Sequence, residues 1–244
     1  MQVSIIIPAF NEATRLPTTF KNILIYHKTN PIFEIIIVDD GSRDATSQIA
    51  KSRSNDLPIK VISLPKNKGK GAATRAGVLM AKGDYILLYD ADGATPIEEI
   101  LKILPPLVSG NADIVIGSRV LGEDRGIDSM SLHRRLMGRV YRKLCQHLVP
   151  GLRDTACGFK LFRKEVAKHI FSLQQVNRYA FDVEILSIAL QQGYRIQEIP
   201  VHWTAIPGSK VRIIRDTFQM TWSVFMLYMG SLSRKSVKIV AQSI

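Results

Sequence analysis

Short apolar runs and longer amphipathic stretches alternate through the first half of the chain. The apolar runs predict strands buried on both faces, at Val3–Pro8, Glu34–Val38, Ile59–Leu64, Tyr85–Tyr89 and Asp113–Ile116. Hydrophobic residues recur at helical spacing between them, over Pro17–His27, Asp44–Ser54, Gly71–Lys82 and Ile97–Ser109. This alternation predicts an α/β fold with a mostly parallel central sheet and helices on both of its faces.

The second half of the chain has fewer strand patterns and more basic and aromatic residues. Its predicted elements are a basic helix, a second helix and a strand, over Ser131–His147, Ala180–Gln192 and Arg195–Trp203. A last helical pattern, Ile213–Met229, is rich in Phe, Trp, Tyr and Met. The sequence therefore predicts one continuous domain over residues 1–212, followed by a C-terminal amphipathic helical tail over residues 213–244.

Composition narrows the class of partner. The 244 residues include 33 Lys+Arg against 21 Asp+Glu, which gives a formal net charge of +12, and 46% of them are hydrophobic. Such a chain buries a full core, and its charge favours an anionic partner: nucleic acid, an anionic membrane surface or phosphorylated small molecules. The two cysteines form no disulfide framework, which favours a reducing, cytosolic setting. No run approaches the roughly 18–20 apolar residues that cross a bilayer.

Polar residues gather directly after the predicted strands. The side chains in question are Asn11 and Glu12 after the first strand, Asp39 and Asp40 after the second, and Asp90 and Asp92 after the fourth. Parallel strands present their carboxyl ends at one edge of a sheet, which is where such folds bind ligands. Adjacent carboxylates at a buried strand end are costly without a cation or hydrogen-bond donors. Taken alone, the residues after the second strand also fit a turn that leads into a helix.

Asp90-Ala91-Asp92 is the most informative of these clusters. Period-two alternation along an extended strand directs the two carboxylates to one side, about 6–7 Å apart. That spacing allows one carboxylate to hold a divalent ion while the other binds a ribose hydroxyl. Carboxylate oxygens together with a diphosphate suit Mg²⁺ or Mn²⁺. Asp92 and Asp90 are therefore the candidate metal ligands, one of them to hold the ion and the other to bind ribose.

Several motifs follow one another along the chain in a distinctive order: IIIPAFNE, VDDGSRDAT, NKGKGAATRAG, YDADGAT and GSR, then RDTACGFKLF, YAFDVEIL and IPVHWTAIPGSKVR. The first five resemble the family 2 glycosyltransferases of the GT-A fold. The last three are similar to the branch formed by the dolichyl-phosphate β-glucosyltransferases. The resemblance covers about Val3 to Met229. It implies inverting transfer of a hexose, glucose in this branch, from a UDP-sugar to dolichyl or another polyprenyl phosphate.

The same resemblance implies roles on the donor side. The residues expected to bind the UDP-sugar are Pro8, Ala9, Asn11, Glu12, Asp39, Asp40, Lys70, Gly71, Asp90 and Ala91. Asp92 would be the main ligand of the Mg²⁺ or Mn²⁺ ion, whose charge neutralises the leaving UDP. Lys68 and Lys70 are placed to close over the diphosphate, although a solvated basic loop explains them nearly as well.

A phosphate acceptor determines what else catalysis requires. A phosphate monoester is mostly a dianion at neutral pH, so it attacks the anomeric carbon without a general base. The negative charge of the phosphate must be neutralised and the phosphate must be oriented towards the sugar, and arginines do both through bidentate contacts. The candidate acceptor-binding residues are Arg119, Arg134, Arg135, Lys210 and Arg212. Arg119 stands out among them because it follows a strand end at the same sheet edge as Asp92.

Two further carboxylates, Asp154 and Asp182, complete a predicted catalytic set with Asp92 and Arg119. We expect Asp154 or Asp182 to position the sugar or the acceptor arginines rather than to act as a base. A structural ion pair is the favoured explanation of Glu184. Cys157 is expected to be a small apolar filler and not a nucleophile.

The aromatic residues of the tail share one helical face. These residues are Phe218, Trp222, Phe225, Met226 and Met229, and basic residues flank them on both sides. An interfacial helix attracted to anionic headgroups has this composition. The same face also fits against the sheet or a second subunit, so a homo-oligomer stays open. We expect the protein to lie peripherally on the cytoplasmic face of a membrane.

Other function classes fit less well. A nucleic-acid partner is disfavoured because aspartates at the strand ends would repel a phosphate backbone. A dinucleotide oxidoreductase would need G-x-G-x-x-G after the first strand, where Pro8–Glu12 has none. The main alternative is a family 2 transferase that acts on a sugar hydroxyl of a soluble or polymeric acceptor.

Overall fold

A computed structural model describes residues 1–121, 143, 145–206 and 219–229. Within them the strands are β1 Val3–Ala9, β2 Glu34–Asp39, β3 Ile59–Ser63, β4 Tyr85–Leu88, β5 Ile114–Ser118, β6 Lys160–Arg163 and β7 Ile196–Pro200. They form one sheet in the order β3-β2-β1-β4-β6-β5-β7. Only β6 runs antiparallel to its neighbours, β4 and β5, among these strands. The prediction of a mostly parallel sheet is confirmed.

Helices cover both faces of the sheet. They are α1 Leu16–Thr29, α2 Thr46–Ser52, α3 Lys70–Met80, α4 Ile100–Ile103, α5 Pro105–Val108, α6 Lys164–Leu173 and α7 Phe181–Gln191. One hydrophobic cluster contains side chains from helices α1, α2, α4 and α5. The other cluster, on the opposite face of the sheet, contains side chains from helices α3, α6 and α7. The α/β arrangement expected from the alternating sequence pattern is therefore present.

Strand β2 shows how the sequence determines this layering. Ile36 and Val38 belong to one hydrophobic cluster, and Ile35 and Ile37 belong to the cluster on the opposite face. Successive side chains of a strand point to opposite faces, so a continuous apolar run is buried only where both faces are covered.

The predicted helix Ile97–Ser109 is broken into a 3₁₀ turn at Ile97–Glu99 and the short helices α4 and α5. Pro105-Pro106 separates α4 from α5, because neither proline has an N–H to donate to the preceding helical turn. The sequence pattern also gave no assignment to β6 or α6. Strand β6 begins at Lys160 and ends at Arg163, so its sequence lacks the continuous apolar run expected of a central strand.

The described part of the C-terminal tail, residues 219–229, is helical as expected. Val224 is fully buried in the cluster that contains α6 and α7, and Leu227 and Tyr228 pack against that cluster. The aromatic face is exposed instead, at Trp222, Phe225, Met226 and Met229. Within the described residues, the structure contains no helix long and apolar enough to cross a membrane.

Several predicted features lie outside the described residues. They are most of the basic helix Ser131–His147, the domain boundary after residue 212, and the candidate acceptor residues Arg134, Arg135, Lys210 and Arg212.

Candidate active site

The carboxyl ends of β1, β2, β4 and β5 meet the amino end of β6 at one edge of the sheet. A cleft with about 280 Å³ of empty volume, part of it open to solvent, lies at this edge. Its lining residues are Tyr89, Asp90, Ala94, Thr95, Arg119, Gly158, Phe159 and Trp203. The structure therefore brings Asp90 and Arg119, predicted on the donor and acceptor sides, into one cleft.

Asp40 fixes the basic loop that precedes α3. Its Oδ1 accepts the N–H of Lys68 and its Oδ2 accepts the N–H of Gly69, both at 2.7 Å. Burial and repulsion from Asp39 raise the pKa of Asp40, although the two amides and Arg178 act against them. Gly69 has a φ of +108°, and a Cβ there would lie 2.5 Å from the carbonyl oxygen of Asn177, so the position requires glycine. The backbone that carries Lys70 is consequently held in place.

Asn11 and Asp39 join the loops that follow β1 and β2. The N–H of Asn11 donates to Oγ of Ser42, and the N–H of Arg43 donates to Oδ1 of Asn11, each at 2.9 Å. Asp39 Oδ1 accepts the N–H of Ser42 at 2.9 Å. Asn11 adopts a φ of +53°, which is uncommon for a residue other than glycine. These contacts shape the strand ends where a nucleotide was predicted.

The remaining small residues predicted on the donor side lie deeper in the fold. Pro8 and Ala9 end β1, and the carbonyl of Ala9 accepts the N–H of Asp40 at 2.8 Å. The carbonyl of Ala91 accepts the hydroxyl of Thr19 at 2.8 Å. Gly71 is buried, and a Cβ there would lie 2.5 Å from the carbonyl oxygen of Val176. Gly71 and Ala91 thus support the site through helix and loop contacts.

Asp90 forms an ion pair with Lys70. The Nζ of Lys70 lies 2.6 Å from Oδ1 of Asp90. Burial acts to raise the pKa of Asp90, but Lys70, Lys160 and Arg119 outweigh it and hold the pKa below its ordinary value. The other oxygen, Oδ2, lies over Gly158, where an added Cβ would come within 2.0 Å of it. Asp90 is therefore ionised and held on two sides.

Asp92 has a weaker complement of partners. The N–H of Ala94 donates to its Oδ1 at 3.1 Å, and Nη1 of Arg15 lies 3.3 Å from its Oδ2. Arg15 is engaged mainly by Glu12, to whose carboxylate both Nε and Nη2 donate. Burial and repulsion from Asp90 raise the pKa of Asp92. Asp92 is thus the carboxylate of this cluster with the least complete neutralisation.

The carboxylate oxygens of this cluster are ligands that suit a hard divalent cation. Among the described residues, no group of three or more His, Cys, Asp or Glu side chains is placed to hold a metal ion. Mg²⁺ sites are commonly built from one or two carboxylates, with waters and substrate phosphates completing the coordination. Asp92, whose contact with Arg15 is a long one of 3.3 Å, fits such a ligand, whereas Asp90 is paired at 2.6 Å with the Lys70 ammonium.

Arg119 is held in a fixed orientation by Asp154. Its Nε and Nη2 donate to the two carboxylate oxygens at 2.8 Å, and its backbone N–H donates to Oδ2 at 2.9 Å. The backbone N–H groups of Arg153 and Asp154 donate in turn to the Glu198 carboxylate. The guanidinium lies over the ring of Trp203, 5.6 Å from its centroid. This chain of contacts gives Asp154 the arginine-positioning role that the sequence suggested.

Burial and charge act in opposite directions on this pair. Burial acts to lower the pKa of Arg119, but the Asp154 carboxylate more than compensates and raises it. Burial acts likewise to raise the pKa of Asp154, which Arg119 brings below its ordinary value. The pair is therefore ionised throughout the physiological range, with the arginine still lining the cleft.

Lys160 is a residue that sequence reasoning missed. Its side chain is fully buried, and its Nζ donates to Oδ1 of Asp182 at 2.5 Å and to the carbonyl of Cys157. A lysine so deeply buried is rare without a partner. The sequence pattern did show a charge inside an apolar segment, GFKLF, which is the feature that would have identified it. Asp182 is thus paired to a buried cation at the amino end of α7.

Two smaller predictions have clear outcomes. Glu184 has a structural role, but its partners are not the charged side chain that was expected. Its carboxylate accepts hydrogen bonds from the backbone N–H groups of Gln175 and Val176. Cys157 is buried in a hydrophobic cluster, and burial raises the pKa of its thiol. Its expected role as an apolar filler is confirmed.

Comparison with known proteins places this geometry in context. The family model described as Glycosyl transferase family 2 matches residues 4–171. The chain is 42% identical to the human dolichyl-phosphate beta-glucosyltransferase, over 86% of this chain and 69% of that protein. It is 36% identical to the enzyme of the same name from Dictyostelium discoideum, over 89% of this chain and 71% of that protein. The corresponding yeast enzyme, from Saccharomyces cerevisiae, is 30% identical over 94% of this chain and 75% of that protein.

Solved structures share the fold. Glucosyl-3-phosphoglycerate synthase from Mycobacterium tuberculosis, in complex with Mn²⁺, UDP and glucosyl-3-phosphoglycerate, superposes with a TM-score of 0.69. The similarity covers 94% of this chain and 80% of that one at 16% identity. Mannosyl-3-phosphoglycerate synthase from Rubrobacter xylanophilus gives a TM-score of 0.66 at 19% identity, over 97% of this chain and 75% of that one. At these identities the likeness establishes the GT-A type of fold.

Proposed function

The chain belongs to glycosyl transferase family 2, and from that premise we propose that it transfers glucose from UDP-glucose to dolichyl phosphate or a related polyprenyl phosphate. Relatives that carry the name dolichyl-phosphate beta-glucosyltransferase match most of the chain at 30–42% identity. The structural observation that carries the proposal is the shared cleft. Asp90, on the donor side, and Arg119, oriented by Asp154, line the same cavity.

The donor binds where the ends of β1, β2 and β4 meet. The uridine lies against the loops joined by Asn11 and Asp39, and the diphosphate lies towards Asp92 and the amino end of α3. Asp92 would hold a divalent cation, Mn²⁺ or Mg²⁺, which when bound would supply positive charge to the leaving UDP. The raised pKa of Asp92 supports this assignment, because a carboxylate crowded by like charge gains most from a bound cation.

The acceptor phosphate binds at Arg119. Asp154 orders the guanidinium in advance, so little conformational freedom is lost when the phosphate arrives. The phosphate dianion needs no proton removed before it attacks the anomeric carbon from the face opposite UDP. Asp182 is poorly suited to be a base in any case, since its carboxylate is paired with the buried Lys160.

The membrane partner is an anionic lipid surface contacted by the helix at residues 219–229. Val224 anchors this helix to the core with no exposed surface, while Trp222 and Met226 are 57% and 54% exposed. Large apolar side chains on the outer face of an anchored helix suit insertion among headgroups. The net charge of +12 favours an anionic leaflet. We place the enzyme peripherally on the cytoplasmic face, where a nucleotide sugar is available.

The test is a transfer assay with radiolabelled UDP-glucose and dolichyl phosphate in the presence of Mn²⁺. We expect radiolabel in the organic phase that depends on both the lipid phosphate and the metal, and lower transfer from GDP-mannose. Dolichol without its phosphate is the matched control and should accept nothing. Equal transfer to dolichol, or transfer only to a sugar hydroxyl in the absence of lipid, would contradict the proposal and favour the soluble-acceptor alternative.

A further inference from the structure

Lys70 occupies a position that a metal-binding site would not be expected to tolerate. Its ammonium lies 2.6 Å from Oδ1 of Asp90, one of the two carboxylates of Asp90-Ala91-Asp92. The second oxygen of Asp90 lies against Gly158, which has no side chain to move aside. One oxygen of Asp90 is thus paired with Lys70, and the space beside the other is limited by the Gly158 backbone.

The backbone beneath Lys70 is fixed while its side chain keeps some exposure. Lys70 is the first residue of α3, and the preceding Gly69 is held by the Asp40 carboxylate. A quarter of the Lys70 side-chain surface is exposed. A lysine stem has several rotatable bonds, so its ammonium is able to change partner without movement of the helix.

Lys70 is charged beside Asp90. Burial acts to lower its pKa, but Asp90, Asp182 and Asp92 raise it above the ordinary value. Asp182 is itself held by Lys160 and remains nearby. Another anion, such as a diphosphate, is able to replace Asp90 as the partner of this ammonium.

We propose that Lys70 makes divalent-metal binding conditional on the nucleotide, because it pairs with Asp90 and moves to the diphosphate when a nucleoside diphosphate binds. The inference rests on the proposed function for the identity of the donor. Without nucleotide, an incoming divalent cation meets Asp92 alone and is repelled by the ammonium beside Asp90. With nucleotide, the phosphates supply further ligands to the metal and negative charge to Lys70. The shortage of ligands and the repulsion by the ammonium are then relieved together.

Mn²⁺ binding in the absence of any acceptor tests this coupling. The EPR signal of free Mn²⁺, which weakens on binding, is titrated with the wild-type chain in the presence and absence of UDP. The same titrations are made with Lys70→Met, which keeps the length of the stem, and with Lys70→Arg, which keeps the charge. Lys66→Met removes an exposed charge from the same loop and is the matched control. Circular dichroism verifies that each variant is folded.

The wild type should bind Mn²⁺ weakly alone, and UDP should strengthen binding by a factor of ten or more, about the lower range of allosteric coupling. Lys70→Met should bind Mn²⁺ alone about tenfold more tightly than the wild type and show much weaker coupling to UDP. Lys70→Arg and Lys66→Met should behave like the wild type. If Lys70→Met leaves both the affinity and the coupling unchanged, the inference is wrong. If the wild type fails to bind UDP even with Mn²⁺, the proposed function itself fails.

Discussion

At the scale of single residues, Gly158 shows how closely the site is assembled. The backbone of Gly158 lies under the Asp90 carboxylate, so any side chain at this position displaces Asp90 from Lys70. Glycine is required here by close approach and not by an unusual φ, a need that the motif ACGFKLF gives no way to infer. The sequence does indicate which carboxylates matter, because they follow strands. The contacts that restrain them come from segments distant in the chain.

Gly158→Ala tests this restraint. A Cβ placed 2.0 Å from Oδ2 of Asp90 must push the carboxylate aside. Displacement of a catalytic group by about 1 Å can cost roughly 100-fold in rate, and we expect a loss of that order in kcat/KM for UDP-glucose. Steady-state kinetics measures it, with the melting temperature as the control for folding. Activity near the wild-type level would mean that Asp90 does not need its observed position.

Arg119→Ala should weaken the acceptor much more than the donor. Losing a charge-assisted contact to phosphate costs about 1.5–3 kcal/mol, or roughly 10–150-fold in KM for dolichyl phosphate. The chain offers a close control in Arg195, which makes the same three hydrogen bonds to Asp113 at the opposite edge of the sheet. Arg195→Ala should leave both KM values near the wild type. Equal losses for donor and acceptor in Arg119→Ala would show that this arginine is misassigned.

At the scale of elements, β6 and α7 are joined by the Lys160–Asp182 ion pair. Sequence patterns located α7, because eleven residues with apolar and polar positions at helical spacing leave little doubt. They missed β6, since a four-residue strand with a buried lysine at its start looks like a polar loop. The partner that makes the lysine tolerable lies on another element, and pattern reasoning along one segment does not reveal it. The same limitation explains the wrong expectation for Glu184, whose partners are backbone amides.

Asp182→Asn should therefore lower the free energy of unfolding and have little direct effect on the transfer step. Removing one member of a buried ion pair leaves an uncompensated charge, at a cost of about 3–5 kcal/mol. Adding Lys160→Met to this variant should recover much of the loss. Urea unfolding of the single and double variants measures both effects. A single variant as stable as the wild type but without activity would instead indicate a direct catalytic role for Asp182, as a base.

The helix at residues 219–229 should bind membranes through its outer face. Trp222→Ser combined with Phe225→Ser removes exposed apolar surface while Val224 keeps the helix on the core. We expect the wild type to float with anionic liposomes in a salt-sensitive manner, and the double variant to float much less. Leu101→Ser, an exposed apolar residue of α4, is the control and should float like the wild type. Unchanged flotation of the double variant would place the docking surface elsewhere.

At the scale of the whole molecule, charge is distributed so that the cleft is nearly balanced while the chain as a whole is basic. In and around the cleft, Asp90 is paired with Lys70, Asp92 with Arg15 and Asp154 with Arg119. A divalent cation and two anionic substrates must enter this balanced region together, and each entry changes the balance for the next. Composition alone revealed the overall charge of +12 but not this local cancellation.

Removal of metal should consequently abolish transfer without unfolding the protein. We expect EDTA to remove activity and Mn²⁺ or Mg²⁺ to restore it, while the far-UV circular dichroism spectrum stays the same. Asp92→Asn should not be rescued by added metal, because a carboxamide is a weaker ligand for a hard cation. Undiminished transfer in the presence of chelator would refute the metal requirement.

The pH dependence should follow the acceptor and not a protein base. Activity is expected to rise with pH through about 6, as the acceptor phosphate loses its second proton. Asp154 has a lowered pKa, so its contribution to stability is complete above its unfolded value and is lost as the pH falls through the lower folded value. Acid should therefore reduce the rate before this pair begins to weaken. If the rate instead followed the ionisation of a protein side chain, with dolichyl phosphate still the acceptor, the base-free mechanism would be wrong.

The reversed direction of β6 has a consequence for how such an enzyme diversifies. Because β6 runs against β5, the chain leaves the sheet at Ser118 and returns at Lys160 on the same side, so residues 119–159 begin and end beside the cleft. An exchange of this segment between relatives would replace Arg119 and Asp154 together with Gly158 beneath Asp90, while β1, β2 and β4 stayed as they are. Chimaeras joined at Ser118 and Lys160 would therefore show whether this segment determines the choice of acceptor.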